Sequence, residues 1–263
     1  MKGKRLVVFA LMAFGYVQGA SAGELSVDTI VEKANLAAYY AGNDGMADIR
    51  MVITDSQGRE RVREFRILRL TLEKGGEQKF YVYFNKPADV AKMVFMVWKH
   101  LGNDDDRWLY LPALDLVRRI AAGDKRSSFV GSHFVYEDVS GRGIEADTHE
   151  LVETEERYYK IKNVPKEEKG VEFKYYFVWA DKTDFLPVKA EYYNGRDQLI
   201  RTIETVEVKD IQGHPTVTRS VAKDLERGGQ TTMDFANIQY EIGLTEDIFA
   251  ERYLRRPPAQ WIK

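Results

Sequence analysis

From Met46 to Tyr240 the chain is dominated by short runs in which side chains alternate between two faces, and this period of two constrains the fold most. In "MADIRMVITDSQGRE", Ala47, Ile49, Met51 and Ile53 alternate with Asp48, Arg50 and Val52 before a "DSQG" turn, the pattern of a half-buried antiparallel strand. Strand-like runs follow at "EFRILRLTL", "KFYVYF", "MVFMVW", "RWLYL", "LVRRI", "YYKIKNV", "EFKYYFVW", "VKAEYY", "LIRTIETVEV", "TVTRSVAKD" and "TTMDFANIQY". Gly75-Gly76, "NGRD", "IQGHP" and "ERGG" punctuate them as turns. The aromatic content, Tyr 15, Phe 13 and Trp 4, favours strands over helices. Few helical patterns interrupt the series, so the expected sheet is large and antiparallel.

Such a sheet must cover its inner face. Three segments are available for this. Residues 26–41, "SVDTIVEKANLAAYYA", read as a helix capped by Ser26 or Asp28, with Val27, Ile30, Val31, Ala34, Ala37, Ala38 and Ala41 at helical spacing and Gly42 as its stop. The stretch from Ala121 to Arg142 is the longest non-strand insertion, a loop with one short helical turn. Insertions of this length in a compact domain are usually functional. "TEDIFAERYLRR" closes the chain as a short helix. The expected class is mainly β (α+β): a highly curved, incomplete antiparallel barrel whose concave face is covered by helices and loops.

Lys2, Lys4 and Arg5 precede a short apolar run, Leu6 to Val17, and Ala20, Ser21 and Ala22 supply small residues at a cleavage site. This is the pattern of a secretory signal peptide over residues 1–22, with a single domain over 23–263. The apolar run is well short of the ~20 residues a membrane span needs. No cysteine follows the cleavage site to accept a lipid anchor, and the chain has none elsewhere to form disulfides or cysteine-based zinc sites. A slight excess of acidic residues, 41 against 39 basic ones, gives no charge-driven affinity for nucleic acid.

Enzyme signatures fail one after another. There is no G-x-S-x-G, no H-E-x-x-H and no phosphate-binding loop. His100, His133, His149 and His214 are widely spaced and read as surface residues, so none is expected to be essential. "NDDD" at 103–106 lacks the glycine and distal glutamate of a calcium loop. No catalytic residue, cofactor or metal is therefore expected.

The aromatic strands differ in kind. In "KFYVYF", Phe80, Val82 and Phe84 share one face and Tyr81 and Tyr83 the other. In "RWLYL", Leu109 and Leu111 share a face that we place inward, leaving amphipathic Trp108 and Tyr110 on the wetter side. "RWLYLPALDLVRRI", "DKRSSFVGSHFVYEDVSGR" and "LPVKAEYYNGRDQLIRTIE", in that order, resemble the LolA-like outer-membrane lipoprotein-sorting proteins. They are closest to a divergent branch often encoded beside RND-type (MMPL) exporters. The resemblance implies an open, curved antiparallel sheet enclosing an apolar cavity that shelters acyl chains in the periplasm. It implies lipoprotein or other lipid cargo, received from an RND/MMPL-type or ABC-type inner-membrane transporter and passed to an outer-membrane acceptor. Under the same resemblance the fold also serves as a lipid sensor or as an accessory protein of an RND-type exporter. The cavity is expected to be lined by Phe80, Val82, Phe84, Leu109 and Leu111. Phe129 and Phe134 are expected on its cover, with Phe129→Ala speeding release at little cost to the fold. The family's basic residue before a proline, which holds the cover closed, falls on Lys86 before Pro87.

Overall fold

The computed structural model describes residues 25–262; the expected signal peptide lies outside the described residues. The first element is α1 (Val27–Tyr39), where the Ser26 hydroxyl accepts the Thr29 amide at 3.2 Å and caps the helix as its sequence demands. The first half of the sheet follows as β1 (Asp44–Asp55), β2 (Glu60–Thr71), β3 (Gln78–Lys86), β4 (Val94–Lys99), β5 (Asp106–Leu111) and β6 (Leu116–Ile120). An insertion over 121–146 contains two short 3-10 turns and α2 (Tyr136–Ser140). The second half is β7 (Asp147–Thr154), β8 (Tyr158–Pro165), β9 (Tyr175–Asp181), β10 (Pro187–Tyr193), β11 (Leu199–Ile211), β12 (His214–Asp224) and β13 (Gly229–Tyr240). A 3-10 turn at Glu246–Phe249 and α3 (Arg252–Arg255) end the chain.

The strands form one 13-stranded sheet in the order β6-β5-β4-β3-β2-β1-β13-β12-β11-β10-β9-β8-β7. It is two antiparallel meanders joined where β1 pairs with β13. Tight turns set the register: between β11 and β12, Gln212 and Gly213 both take positive φ, 54° and 82°, the two-residue turn whose twist suits a hairpin. The sheet does not close, so β6 and β7 are its edges, and the insertion is the chain that runs from one edge to the other. That short segment touches both halves: Phe129 packs on Phe65, Phe84 and Phe95, while His133 hydrogen-bonds Thr231. A sheet reached on both halves by so few residues must curve around them.

The three covering segments divide between the faces. The insertion packs on the face of Ile49, Phe65, Phe80, Val82, Phe84 and Phe95. The buried face of α1, Ile30, Val31 and Ala34, meets Ile161 and Ala180 near the β7 end of the sheet. The C-terminal segment goes elsewhere. Its Leu244, Ile248, Phe249 and Leu254 cover the opposite, convex face, against Leu68, Tyr81, Met96 and Trp108. This corrects two expectations. The C-terminal segment is not a cover of the concave face, and Trp108 is not on a wet surface but 6% exposed beneath that segment. Polar anchors fix the strap in place. Trp98 Nε1 donates to Phe249 O at 2.9 Å, Tyr81 donates its hydroxyl to Tyr253 O at 2.7 Å, and Arg66 reaches Trp261 O at 2.9 Å. The leucines of β5 do face the concave side, as parity requires.

One strand is absent from the sequence reading. β7, "DTHELVET", is an edge strand whose side chains are mostly exposed or half-buried, so it lacks the aliphatic or aromatic run that marks its neighbours.

Phe249 is fully buried in the strap. Phe249→Ala is expected to destabilise the protein by about 3–5 kcal/mol, the range for emptying a buried aromatic site. Urea unfolding followed by tryptophan fluorescence checks this, with Trp98 and Trp108 as local reporters.

Candidate functional site

Where α1 and the insertion lie over the concave face they do not fill it. A cavity of about 470 Å³ remains, within the usual range of small-molecule sites. The sheet supplies Ala47 and Ile49 of β1, Phe65 and Ile67 of β2, Phe80 and Val82 of β3, Val178 of β9, Ala190 of β10, Ile203 of β11, and Met233, Phe235 and Ile238 of β13. These side chains share one face because alternate residues of a strand do, and on β13 a slip in pairing with β1 between Ala236 and Gln239 brings Ile238 to the same face as Phe235. The helix turns Ala34, Ala37 and Ala38 toward the hollow. Ala34 packs on Ile161 and Ala180, but Ala37 and Ala38 carry only methyl groups over the hollow, and the helix end is held in place by other means. Arg69 donates to Tyr39 O at 3.0 Å, to Ala41 O and to Gly42 O, and Gln78 donates to Tyr39 O at 2.8 Å. A cation at the C-terminal carbonyls also suits the helix dipole.

The insertion is held by charge as well as by apolar packing. Glu137, 3% exposed, accepts from Arg126 and Arg142, each at 3.2 Å, and lies 3.5 Å from Lys125. Arg142 continues to Asp147 on β7 at 2.8 Å, where Tyr176 of β9 adds a hydroxyl at 2.7 Å. Asp138 pairs with Arg201 of β11 and caps α2 by accepting the Val135 amide at 2.7 Å. At the other end, Lys99 of β4 donates to Ser140 O at 2.8 Å. Arg126 also binds Glu172 and lies over the rings of Phe173 and Tyr192. Burial alone would raise the Glu172 carboxyl, but the hydrogen bond and charge of Arg126 outweigh it and hold the group below its ordinary value. Burial raises the Tyr192 and Tyr176 hydroxyls, so both are neutral near neutral pH, and Tyr176 donates to Asp147.

The residues singled out from sequence fall into three groups. Phe80, Val82, Phe129 and Phe134 line the cavity. Phe84, Leu109 and Leu111 do not: Phe84 and Leu109 are buried in the core beside it, Phe84 fully so at 4.9 Å from the Phe65 ring, and Leu111 is half-buried against that core. Lys86 does not touch the cover: it is exposed and pairs with Glu64 at 3.1 Å. Parity from Phe84 fails because the β2–β3 register slips between Phe84 and Lys86, with Asn85 the extra residue. Phe129 is 1% exposed among Phe65, Phe84, Phe95 and Tyr136, so Phe129→Ala is expected to empty a buried site and to cost stability as well.

Two of the histidines are better anchored than surface residues. His133 Nδ1 lies 2.8 Å from the Thr231 hydroxyl, and His149, on the cavity wall, lies between Asn163 Oδ1 at 2.7 Å and Ile144 O at 2.8 Å. Among the described residues no three His, Asp or Glu side chains converge as a metal site would require. The sequence reading missed Lys99, Arg126, Glu137, Asp138, Arg142 and Arg201. For Arg126, Glu137, Asp138 and Arg142 the signal lay in "DKRSSFVGSHFVYEDVSGR", where charges of both signs alternate with aromatics inside a segment that has to be buried; Lys99 and Arg201 lie outside it, on β4 and β11.

A family model described as an uncharacterized protein matches residues 76–256, more than half of the chain. The crystal structure of a DUF1329 family protein from Desulfovibrio piger matches with a TM-score of 0.79 at 28% identity, covering 87% of this chain and 97% of that one. A putative outer membrane lipoprotein-sorting protein domain from Vibrio parahaemolyticus matches with a TM-score of 0.78 at 27% identity, covering 86% and 97%. The chain belongs to the LolA-like family. A LolA superfamily protein from Nitrosomonas europaea shares the fold of this LolA-like chain, with a TM-score of 0.69 at 18% identity over 88% and 100% of the two chains. No curated protein matches the chain.

Two tests address the clamp of this LolA-like protein. Lys99→Met leaves buried carbonyls without a donor and is expected to cost about 1–3 kcal/mol. Lys86→Ala, at an exposed pair, should change stability by less than about 0.5 kcal/mol. Urea midpoints of the two variants compare them directly. The second test is acid. Because the folded Glu172 carboxyl is depressed, its contribution is complete above the ordinary value of 4.5 and is lost as pH falls through the folded value. Glu172→Gln is thus expected to be less stable than the parent at neutral pH, with the two urea midpoints converging as the pH is lowered below 4.5. A constant difference across that window would mean that Arg126 does not act on this carboxyl.

Proposed function

We propose that the chain is a periplasmic carrier, exported by a signal peptide over residues 1–22, that shelters acyl chains of a lipoprotein or another lipid on the way to the outer membrane. The observation that carries this reading is the apolar hollow of about 470 Å³ between the concave sheet face, the alanines of α1 and the clamped insertion. Each CH₂ withdrawn from water contributes about 0.8 kcal/mol, so hydrocarbon walls suffice to hold an acyl chain without any reaction. Release then needs only a cover that can part from the sheet. The donor is an RND/MMPL-type or ABC-type transporter, and the receiver an outer-membrane acceptor. The sorting function named for the Vibrio domain supports this reading. Nothing in the site requires catalysis, and the role assigned to the chain is not enzymatic. Among the described residues no helix is long and apolar enough to cross a membrane.

Mass spectrometry of the protein purified from the periplasm is expected to show bound acyl lipid. Ile203→Glu, which sets a carboxylate on the cavity wall, should reduce uptake of a fluorescent fatty acid at least about tenfold, because an ion there is held against hydrocarbon. Val206→Glu, at a position 55% exposed, serves as the control and should bind as the parent does. Circular dichroism establishes that both are folded. A folded Ile203→Glu protein with parental uptake, or an empty parent that co-purifies with an exporter, would replace the carrier reading with that of an accessory protein.

A further inference from the structure

A second cavity, of about 430 Å³, adjoins the cover, and Glu137 and Gly143 line both it and the apolar hollow. Its chemistry is the reverse of the first. In its buried part lie Lys99 and Arg107, 5% and 2% exposed. Arg107 pairs with Asp105 at 2.6 Å through Nη2, yet its Nε is buried without a hydrogen-bond partner. Lys99 donates to the carbonyls of Ser140 and Gly141 and, among the described residues, has no carboxylate within ion-pair distance. Against these two cations stands Asp105, since Glu137 is matched by Lys125, Arg126 and Arg142. The buried part of the cavity therefore holds an excess positive charge and an unused donor, and a buried donor without a partner is costly. Exposed carboxylates lie at the rim. Asp104 is 66% exposed at its side chain, and Glu145 and Glu167 are exposed with no cationic partner among the described residues.

The two cavities share Gly143 in their walls. A Cβ there would fall 2.3 Å from Glu145 Oε1, so glycine lets the Glu145 carboxylate lie against the backbone where the two spaces adjoin. Its φ of −61° is open to any residue, which leaves the absence of a side chain as its contribution.

We propose that this cavity receives the polar head of the ligand whose acyl chain lies in the apolar hollow, and that the head is zwitterionic, with an anionic phosphate-type oxygen on Lys99 and Arg107 and a cationic amine toward Asp104, Glu145 and Glu167. The inference rests on the carrier reading and adds to it a class of head group. Burial sets the orientation: anion inward, where the excess cation is, and amine outward, where the carboxylates are hydrated.

The test is displacement of a fluorescent fatty acid from the purified full chain by amphiphiles of one chain length: a lysophosphatidylethanolamine, a lysophosphatidic acid and a monoacylglycerol. The zwitterion is expected to displace the probe at concentrations roughly tenfold below either of the others. Arg107→Lys keeps a charge beside Asp105 but removes the Nε donor, and should shrink the margin over the monoacylglycerol. The Glu145→Gln/Glu167→Gln protein, changed only at exposed positions, should bring the zwitterion level with the lysophosphatidic acid. Gly143→Val, which fills the junction while the Glu145 carboxylate swings aside, should shrink both margins. Equal displacement by all three heads in the parent, or margins unchanged in every variant, overturns the head site and leaves the carrier reading standing. Failure of the fatty acid itself to bind removes the carrier reading and this one with it.

Discussion

A carboxylate kept from water needs compensating charge, and Glu137 obtains it from Lys125, Arg126 and Arg142. The architecture of the concave side follows from that one requirement. An open sheet has two edges, and the only chain available between β6 and β7 is a polar insertion that folds into little regular structure of its own. Hydrophobic burial supplies one anchor, Phe129, against the β2–β4 strands. The ion pairs supply the others: Arg142 to Asp147 on β7 and Asp138 to Arg201 on β11. Apolar contact brings the segment to the sheet, and directional charge fixes where it crosses. Because these pairs are largely excluded from solvent, dissolved salt screens them far less than it screens exposed ones. Parting the cover therefore calls for protonation or for competing contacts from another molecule.

The fold was legible in the sequence wherever side-chain parity speaks for itself. "KFYVYF" and "RWLYL" placed Phe80, Val82, Leu109 and Leu111 on the correct face, and Ser26 caps the helix as read, although it ends at Tyr39, before Gly42. β7 was hidden because an edge strand buries too little to need a hydrophobic run. Lys86 misled for a local reason: a one-residue slip in pairing rotates every later side chain, and no residue type announces it. The cavity wall on β9–β13 was harder still. Val178, Ala190 and Ile203 resemble core residues in every respect, and only the placement of α1 over them distinguishes a wall from a filled interior. The clamp is the reverse case. Its charges were visible, but pairing such as Arg201 with Asp138 joins residues distant in the chain, and spacing along the sequence carries no record of it.

The two faces of the sheet are finished differently. The C-terminal segment straps the convex side of β2–β5 with fully buried contacts and side-chain-to-backbone hydrogen bonds, as a permanent closure would. The concave side is closed by the shorter-sided α1 and by charge. A rigid outer seam and a polar inner one divide the labour of the molecule: the first keeps the sheet's curvature, and the second contains the contacts that must change if the interior is to be reached.

The alanines of α1 have a consequence for how such a protein changes over generations. The hollow has room where Ala37 and Ala38 carry only methyl groups, while the helix is fastened by Ile30, Val31 and Ala34 against the sheet and by Ser26, Arg69 and Gln78 at its ends. Interior volume is thus written in a few positions that carry little of the fastening. Lineages can enlarge or shrink the guest they accommodate by exchanging methyl groups for longer side chains on one helix, leaving strand pairing and the clamp untouched. Guest size and fold are separately heritable in this design.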